Sequence, residues 1–201
     1  MSYVPKPAAG DRNDPAVEAA FEGTPRELVA QILDGELVTM PRPRPRHARA
    51  GVRMLRALGG FDEEGGGRGG AGGWVLLYEP ELHLGPRPDK VVPDLAGWRR
   101  ARFPAAELDA SDDAAIAVAP DWVCEILSDG TEAIDRGKKR RIYRREGVGH
   151  LWYVDPRDRS LEIWELVDGR WVEVDTFEGE GRVHGRPFES VELNLDALWH
   201  W

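Results

Sequence analysis

The chain runs to 201 residues, 41% of them hydrophobic and eight of them tryptophan, with a formal charge of −9. That length and apolar content suit one packed core, and the single cysteine, Cys124, excludes an internal disulfide framework and a cysteine-rich zinc ribbon. No apolar run approaches the roughly 18 residues of a membrane span, and the opening MSYVPKPAAGDRNDP has no signal-peptide apolar centre, so a soluble cytoplasmic protein with no membrane partner is expected.

Residues 1–20 read as a flexible arm and 21–201 as one domain. Thr24-Pro25-Arg26-Glu27 has the form of a capping box with proline at the first helical position. It predicts a helix that carries Leu28, Val29, Ile32 and Leu33 inward and stops at Asp34-Gly35. Glu36 to Met40 follows as a short strand, the Pro-Arg alternation after it forbids regular structure, and His47 to Leu58 reads as a second helix. Residues 59–73 contain nine glycines and are expected as a loop. WVLLYEPELHLG and VVPDLAGW read as two extended segments of a meander, with Pro80 marking a bulge or an edge. After an acidic, irregular insertion over 99–119, DWVCEILS suits a central strand. Thr131 to Glu146 predicts a helix stopped by Gly147, HLWYVDP a strand, and SLEIWELV with RWVEVDTF a hairpin turned by Asp168-Gly169. The tail ELNLDALW is a short strand or a helical turn. The order describes an α/β fold, a mixed α+β sheet with helices packed on it and an extra C-terminal β-hairpin.

Charge is unevenly spread. Thr131 to Glu146 holds seven basic residues against three acidic ones, and PRPRPRHAR from Pro41 holds Arg42, Arg44, Arg46 and Arg49 with no acid. Local basic surface on an acidic body still meets phosphate, because the field that matters is local.

Two carboxylates sit where apolar residues are expected. Asp94 follows Pro93 beside an apolar stretch, and Glu125 lies inside Val123-Cys124-Glu125-Ile126-Leu127. Burying such groups is costly without a cation or strong donors. On adjacent strands they would form a hard-oxygen site for magnesium or manganese; otherwise Asp94 caps a turn and Glu125 pairs with an arginine. Asp135, Lys139 and Tyr143 stand at i, i+4 and i+8, on one helical face. Lys139 either turns back toward the carboxylates, to steady charge on a phosphate or orient a water, or forms a solvated ion pair with Asp135. Cys124 alternates with Glu125 and is expected to face the other side of the sheet.

The run PDWVCEILSDGTEAIDRGKKRRIYRREGVGHLWYVDP, preceded by ILDGELVTMPRPRPRH and VVPDLAGWRR, resembles the restriction-endonuclease-like Uma-two family of the PD-(D/E)XK nuclease superfamily over roughly residues 20–200. The resemblance implies a restriction-endonuclease-like core, a mixed sheet flanked by helices, and a metal-dependent phosphodiesterase site. It assigns Asp94 and Glu125 as catalytic acids and metal ligands, with the Ile126 carbonyl as a further ligand. Leu127 stands where the superfamily places its lysine; in this family the lysine moves to the following helix, where Lys139 stands. Many relatives carry an acid in the first helix, and here Gln31 is near that place with Glu36 just beyond it. Glu36, Glu79, Asp135 and Tyr143 are expected in supporting roles, and His47, Arg46, Lys138 and Arg140 as phosphate contacts.

Other signals fail. Gly65, Gly67 and Gly70 satisfy GxGxxG by chance in a glycine-rich stretch with no helix after it. There is no GK[ST], and the five histidines lack zinc spacing. The leading expectation is a Mg2+- or Mn2+-dependent endonuclease acting on DNA. A non-catalytic nucleic-acid-binding or assembly module that keeps the fold is the alternative, and a hydrolase of small phosphoesters a third. A homodimer, with Trp199-His200-Trp201 as apolar surface, follows from family habit.

Overall fold

The computed structural model describes residues 13–62, 72–109 and 115–200. Its first element lies where the arm was expected: Pro15–Glu22 forms helix α1. Asp14 caps it by accepting from the Ala16 N–H at 2.8 Å, Pro15 is pre-set for the first turn, and the buried Asn13 amide donates to the Pro88 carbonyl. Residues 1–12 of the expected arm lie outside the described residues.

The helix predicted from Thr24 is a strand. β1 (Leu28–Leu33) pairs antiparallel with β2 (Glu36–Pro41), and Leu33 opposite Glu36 closes a two-residue turn. The turn explains the outcome. Asp34 and Gly35 both have positive φ, 54° and 80°, the conformation whose twist matches a hairpin. Six apolar-rich residues are also too few for a helix that must bury its own face, and Thr24 spends its hydroxyl on the Ala20 carbonyl at the end of α1.

Helix α2 (Pro45–Ala57) opens at Pro45, two residues ahead of expectation, and a short α3 (Gly59–Asp62) occupies the start of the predicted glycine loop. The rest of that loop, residues 63–71 with the GxGxxG positions, lies outside the described residues. The expected two-segment meander is four strands in two sheets: β3 (Trp74–Tyr78), β4 (Leu82–Leu84), β5 (Asp89–Val91) and β6 (Leu95–Arg99). β4 and β5 join β1 and β2 in a four-stranded sheet of order β2-β1-β5-β4, whereas β3 and β6 enter the large sheet. The chain changes sheets at Glu79-Pro80 and again at Val92-Pro93, where proline lacks the N–H a continued ladder needs.

The insertion holds a 3-10 turn (Arg100–Arg102), α4 (Ala105–Asp109) and a bridge from Ile116 to Leu82; residues 110–114 lie outside the described residues. β7 (Trp122–Ile126) and β8 (His150–Asp155) are parallel, and β9 (Ser160–Val167) and β10 (Arg170–Glu178) complete a six-stranded mixed sheet of order β10-β9-β8-β7-β6-β3. Asp168-Gly169 turns the β9–β10 hairpin as expected. The crossover from β7 to β8 is a nearly continuous helix: α5 (Glu132–Ile134), a π-helical turn (Asp135–Lys139) and α6 (Arg140–Arg145), ended by Gly147 at φ 74°. The tail is both alternatives at once, β12 (Leu193–Asn194) paired with β11 (Arg182–Val183), then α7 (Leu195–Trp199). Trp199, expected as dimer surface, is half-buried against the core with its indole N–H on the Gly179 carbonyl at 2.6 Å; Trp201 lies outside the described residues.

Core fills both faces of the large sheet. On one, Trp74, Trp122 and Trp152 surround Phe188 at 4.8–5.6 Å between rings, under Ala50 and Met54 of α2 and Leu58 just after it. On the other, Val123, Tyr153, Ile142 and Tyr143 pack with Leu33, Leu82 and Val91 of the small sheet. Cys124 faces the first layer, as its alternation with Glu125 requires. Gly51 lets α2 sit close: a Cβ there would stand 2.9 Å from the Tyr78 ring and 3.1 Å from Ile126. Among the described residues no helix is long and apolar enough to cross a membrane.

Candidate active site

A cleft of about 660 Å3 opens where the parallel strands β7 and β8 end, the usual crevice of such sheets. Small-sheet residues (Leu28, Ala30, Met40) form one wall and the start of the crossover helix (Thr131, Asp135, Lys139) another. Asp94 and His47 stand between them, at the head of β6 and on the first turn of α2.

Glu125 is fully buried in the middle of the sheet, on the face covered by the crossover helix. Both its oxygens are engaged. Lys139 Nζ donates to Oε2 at 3.0 Å and the Tyr143 hydroxyl donates to Oε1. The Lys139 ammonium, 4% exposed, also stands 3.1 Å from Asp135 Oδ1 and donates to the Val92 carbonyl at 3.0 Å. The π turn serves this grouping. A π turn holds more residues than an α turn, so four residues within it fall short of a full turn and offset the overshoot of the next four in α6, and Asp135, Lys139 and Tyr143 stay on one side. The Tyr153 hydroxyl donates to the Asp135 carbonyl at 3.1 Å, within the same turn.

Asp94 is tied in differently. Its Oδ2 accepts from the Ile126 N–H at 2.6 Å, which locks the carboxylate beside the residue after Glu125, and its Oδ1 lies 3.3 Å from His47 Nε2. Glu79, in a left-handed backbone conformation at φ 46°, lines the cleft and donates its own N–H to the Asp94 carbonyl.

The electrostatics describe carboxyl groups crowded about one ammonium, with burial opposing their ionisation. Burial pushes the Glu125 carboxyl up to about 8, and neighbouring Asp135 and Asp94 add to the rise against the opposing pull of Lys139 and Tyr143. Asp135 is also raised, by burial first, against the pull of Lys139. Burial works against the Lys139 ammonium, yet Asp135, Glu125 and Asp94 outweigh it and hold the charge firmly. For His47, burial is likewise overcome by Asp94, with Asp135 and Glu79, and the ring is raised.

The remaining expected residues divide. Arg42, Arg44 and Arg46 line the cleft, joined by Arg26 and Arg157, which the sequence did not single out. Arg157 braces the rim through Asp129, Glu132 and Asp155. Among the described residues no ion pair holds Arg26, Arg44 or Arg46. Glu36 does not reach the cleft: it is 74% exposed on the β1–β2 hairpin and takes the Lys138 ammonium with it. Arg140 points away as well, stacked 4.1 Å from the Trp164 ring. Gln31, expected on a helix, is fully buried on β1, where its Oε1 accepts from the Val92 N–H at 2.8 Å, fixing the peptide group next to the carbonyl that receives Lys139. Its Nε2 and the Nδ1 of His47 are buried without a hydrogen-bond partner among the described residues.

Whether these groups fit a divalent ion is decided by donor chemistry. Asp94, Glu125 and Asp135 offer only hard carboxylate oxygens, in surplus over Lys139 and His47, which suits Mg2+ or Mn2+. They are not a finished cage. Among the described residues no group of three or more His, Cys, Asp or Glu is arranged to hold an ion.

Comparison with known proteins agrees with this architecture. The model of the Uma2 family, described as "Putative restriction endonuclease", matches residues 19–197. A solved structure from Anabaena variabilis, described as a "putative nuclease belonging to DUF820", superposes with a TM-score of 0.69, covering 91% of this chain and 96% of that one. At 16% identity that likeness shows the fold, the nuclease-like mixed sheet flanked by helices. No curated protein matches this chain.

Proposed function

The chain belongs to the Uma2 family, and from that premise we propose that its cleft hydrolyses phosphodiester bonds in DNA with Mg2+ or Mn2+. One observation carries the reading: an acidic floor, Asp94 with Asp135, lies beneath a rim where Arg26, Arg44 and Arg46 have no acid partner among the described residues. Phosphate backbone binds the rim and a hard cation suits the floor, a division of charge that no purely structural role requires.

Asp94 and Glu125 would hold the ion, with the Ile126 carbonyl as a further ligand. When bound, the ion polarises the scissile phosphate and acidifies a water. Lys139, fixed by Asp135 and the Val92 carbonyl, keeps its ammonium beside Glu125 and offers charge to a phosphoryl group at the mouth of the cleft. Tyr143 holds Glu125 from behind, and Glu79 supports Asp94 through its backbone. His47, beside Asp94, is placed to donate to a phosphate oxygen. Arg42, Arg44 and Arg46 would grip backbone without reading bases.

The test is cleavage of plasmid and single-stranded DNA by purified protein with Mg2+ or Mn2+. Asp94→Ala and Lys139→Ala should each abolish it, and cleavage persisting in both overturns the assignment of roles. A second reading has its own support, since Glu125 is sealed from solvent with both oxygens engaged. A domain that keeps the fold only to bind would show no shift in thermal stability on adding either metal.

A further inference from the structure

On the side of the crossover helix away from Glu125, a shallow second groove of about 340 Å3 is lined by Arg136, Arg140, Arg141, Arg144, Arg170 and Trp171. None of its lining residues is acidic. Arg136, Arg140 and Arg144 stand at i, i+4 and i+8, a spacing at which like charges repel within a helix. The hairpin adds to the crowding. The Trp171 indole N–H donates to the Arg140 carbonyl at 3.1 Å, pinning the start of β10 to the helix and bringing Arg170 into the same groove.

Some of this charge is satisfied within the fold. Arg136 pairs with Glu132 and Glu162, Arg141 reaches Asp34 at 3.3 Å, and Arg140 lies on Trp164. Arg144 and Arg170 are exposed, come from different elements, and have no ion pair among the described residues. A body with a surplus of acids has placed five guanidinium groups together and left two of them to solvent.

We propose that this groove is a second anchor for nucleic acid, in which Arg144 and Arg170 take backbone phosphates of the strand whose cleavage is proposed for the cleft. Guanidinium forks from two elements along an open groove suit successive phosphates better than one compact anion. The identity of the occupant rests on the cleft reading; the groove itself does not.

The experiment measures binding of a fluorescein-labelled DNA duplex in EDTA across a salt series, for wild type and for R144E/R170E. The double variant should bind about tenfold more weakly at ~100 mM salt, with the slope of log K against log salt reduced by about 2. Because neither side chain has an ion pair among the described residues, its thermal melt should match wild type, and Arg144→Lys with Arg170→Lys should restore most of the affinity. Metal-dependent hydrolysis of bis(p-nitrophenyl) phosphate, too small to span both sites, should be unchanged in R144E/R170E. Undiminished duplex affinity and slope in R144E/R170E overturn the proposal, as does wild-type binding of a phosphopeptide with none of the duplex. The binding arm needs no metal and no cleavage, so an inactive cleft would leave it standing, whereas Asp94→Ala tests the cleft and leaves the groove intact.

Discussion

The crossover helix carries charge on two faces that obey different physics. Its inner face places Asp135, Lys139 and Tyr143 against Glu125, all but fully out of water. There each charge has been stripped of solvent and depends on one or two fixed neighbours. The outer face carries more charge, Arg136, Arg140, Arg141 and Arg144, yet water and salt screen it and long side chains can rearrange. Charges on the inner face set stability and chemistry together, whereas those on the outer face govern what approaches.

The largest expected effect lies on the inner face. Lys139→Met strands Glu125 and Asp135 without their cation, so urea denaturation should report a loss of about 3–5 kcal/mol. DNA cleavage should fall by about 10²–10³ under conditions where the variant remains folded. A loss of stability below about 1 kcal/mol would mean that the buried carboxylates simply take up protons, and the contrast between the faces would shrink.

A divalent ion should restore balance on the same face. At about 100 times its Kd, Mg2+ or Mn2+ should stabilise the fold by about 2.7 kcal/mol, and Asp94→Asn should remove that gain; differential scanning fluorimetry reads both. The outer-face variant R144E/R170E should keep it in full.

Protonation gives a smaller effect of known sign. Glu125 titrates near 8 in the fold against an ordinary value of 4.5, so between those limits the native state binds more protons than the unfolded chain. Its contribution to stability is therefore complete below pH ~4.5, declines as pH rises through about 8, and is level above that. Denaturation measured across this range should show a slope in wild type that Glu125→Gln flattens. An equal slope in Glu125→Gln would assign it to another group.

The smallest change belongs to the outer charges. Glu36→Ala, which removes the exposed partner of Lys138, should alter stability by no more than about 0.5 kcal/mol. A larger loss in a thermal melt would show that the two faces are less distinct than their burial implies.

The two Asp-Gly turns show how much of the fold was legible. Asp168-Gly169 was flanked by long alternating segments, and the β9–β10 hairpin could be read directly. Asp34-Gly35 forms the same kind of turn, with both residues at positive φ, but Thr24-Pro25-Arg26-Glu27 imitates a helix start. Leu28, Val29, Ile32 and Leu33 suit one face of a helix as well as a buried strand, and only pairing with β2 and β5 decides between them. The sheet switches at Pro80 and Pro93 were marked by proline, yet proline says where a ladder stops and not which sheet the next strand joins.

For the candidate site, the division was between residue type and partner. Asp94, Glu125, Asp135, Lys139 and Tyr143 could be named from the sequence because carboxylates in apolar runs and a repeat of four on a helix are local signals. Their partners could not. That Ile126 donates to Asp94, that Val92 receives Lys139, that Gln31 fixes the Val92 peptide, and that Glu36 leaves with Lys138 are contacts between residues 32 to 102 positions apart. Local chemistry limits what a side chain can do, and the sequence by itself carries that much. Which opposite charge reaches it, and whether water reaches it first, is decided when strands and helices pack, because the energy of a charge depends on everything within a few ångströms and chain order does not encode that distance.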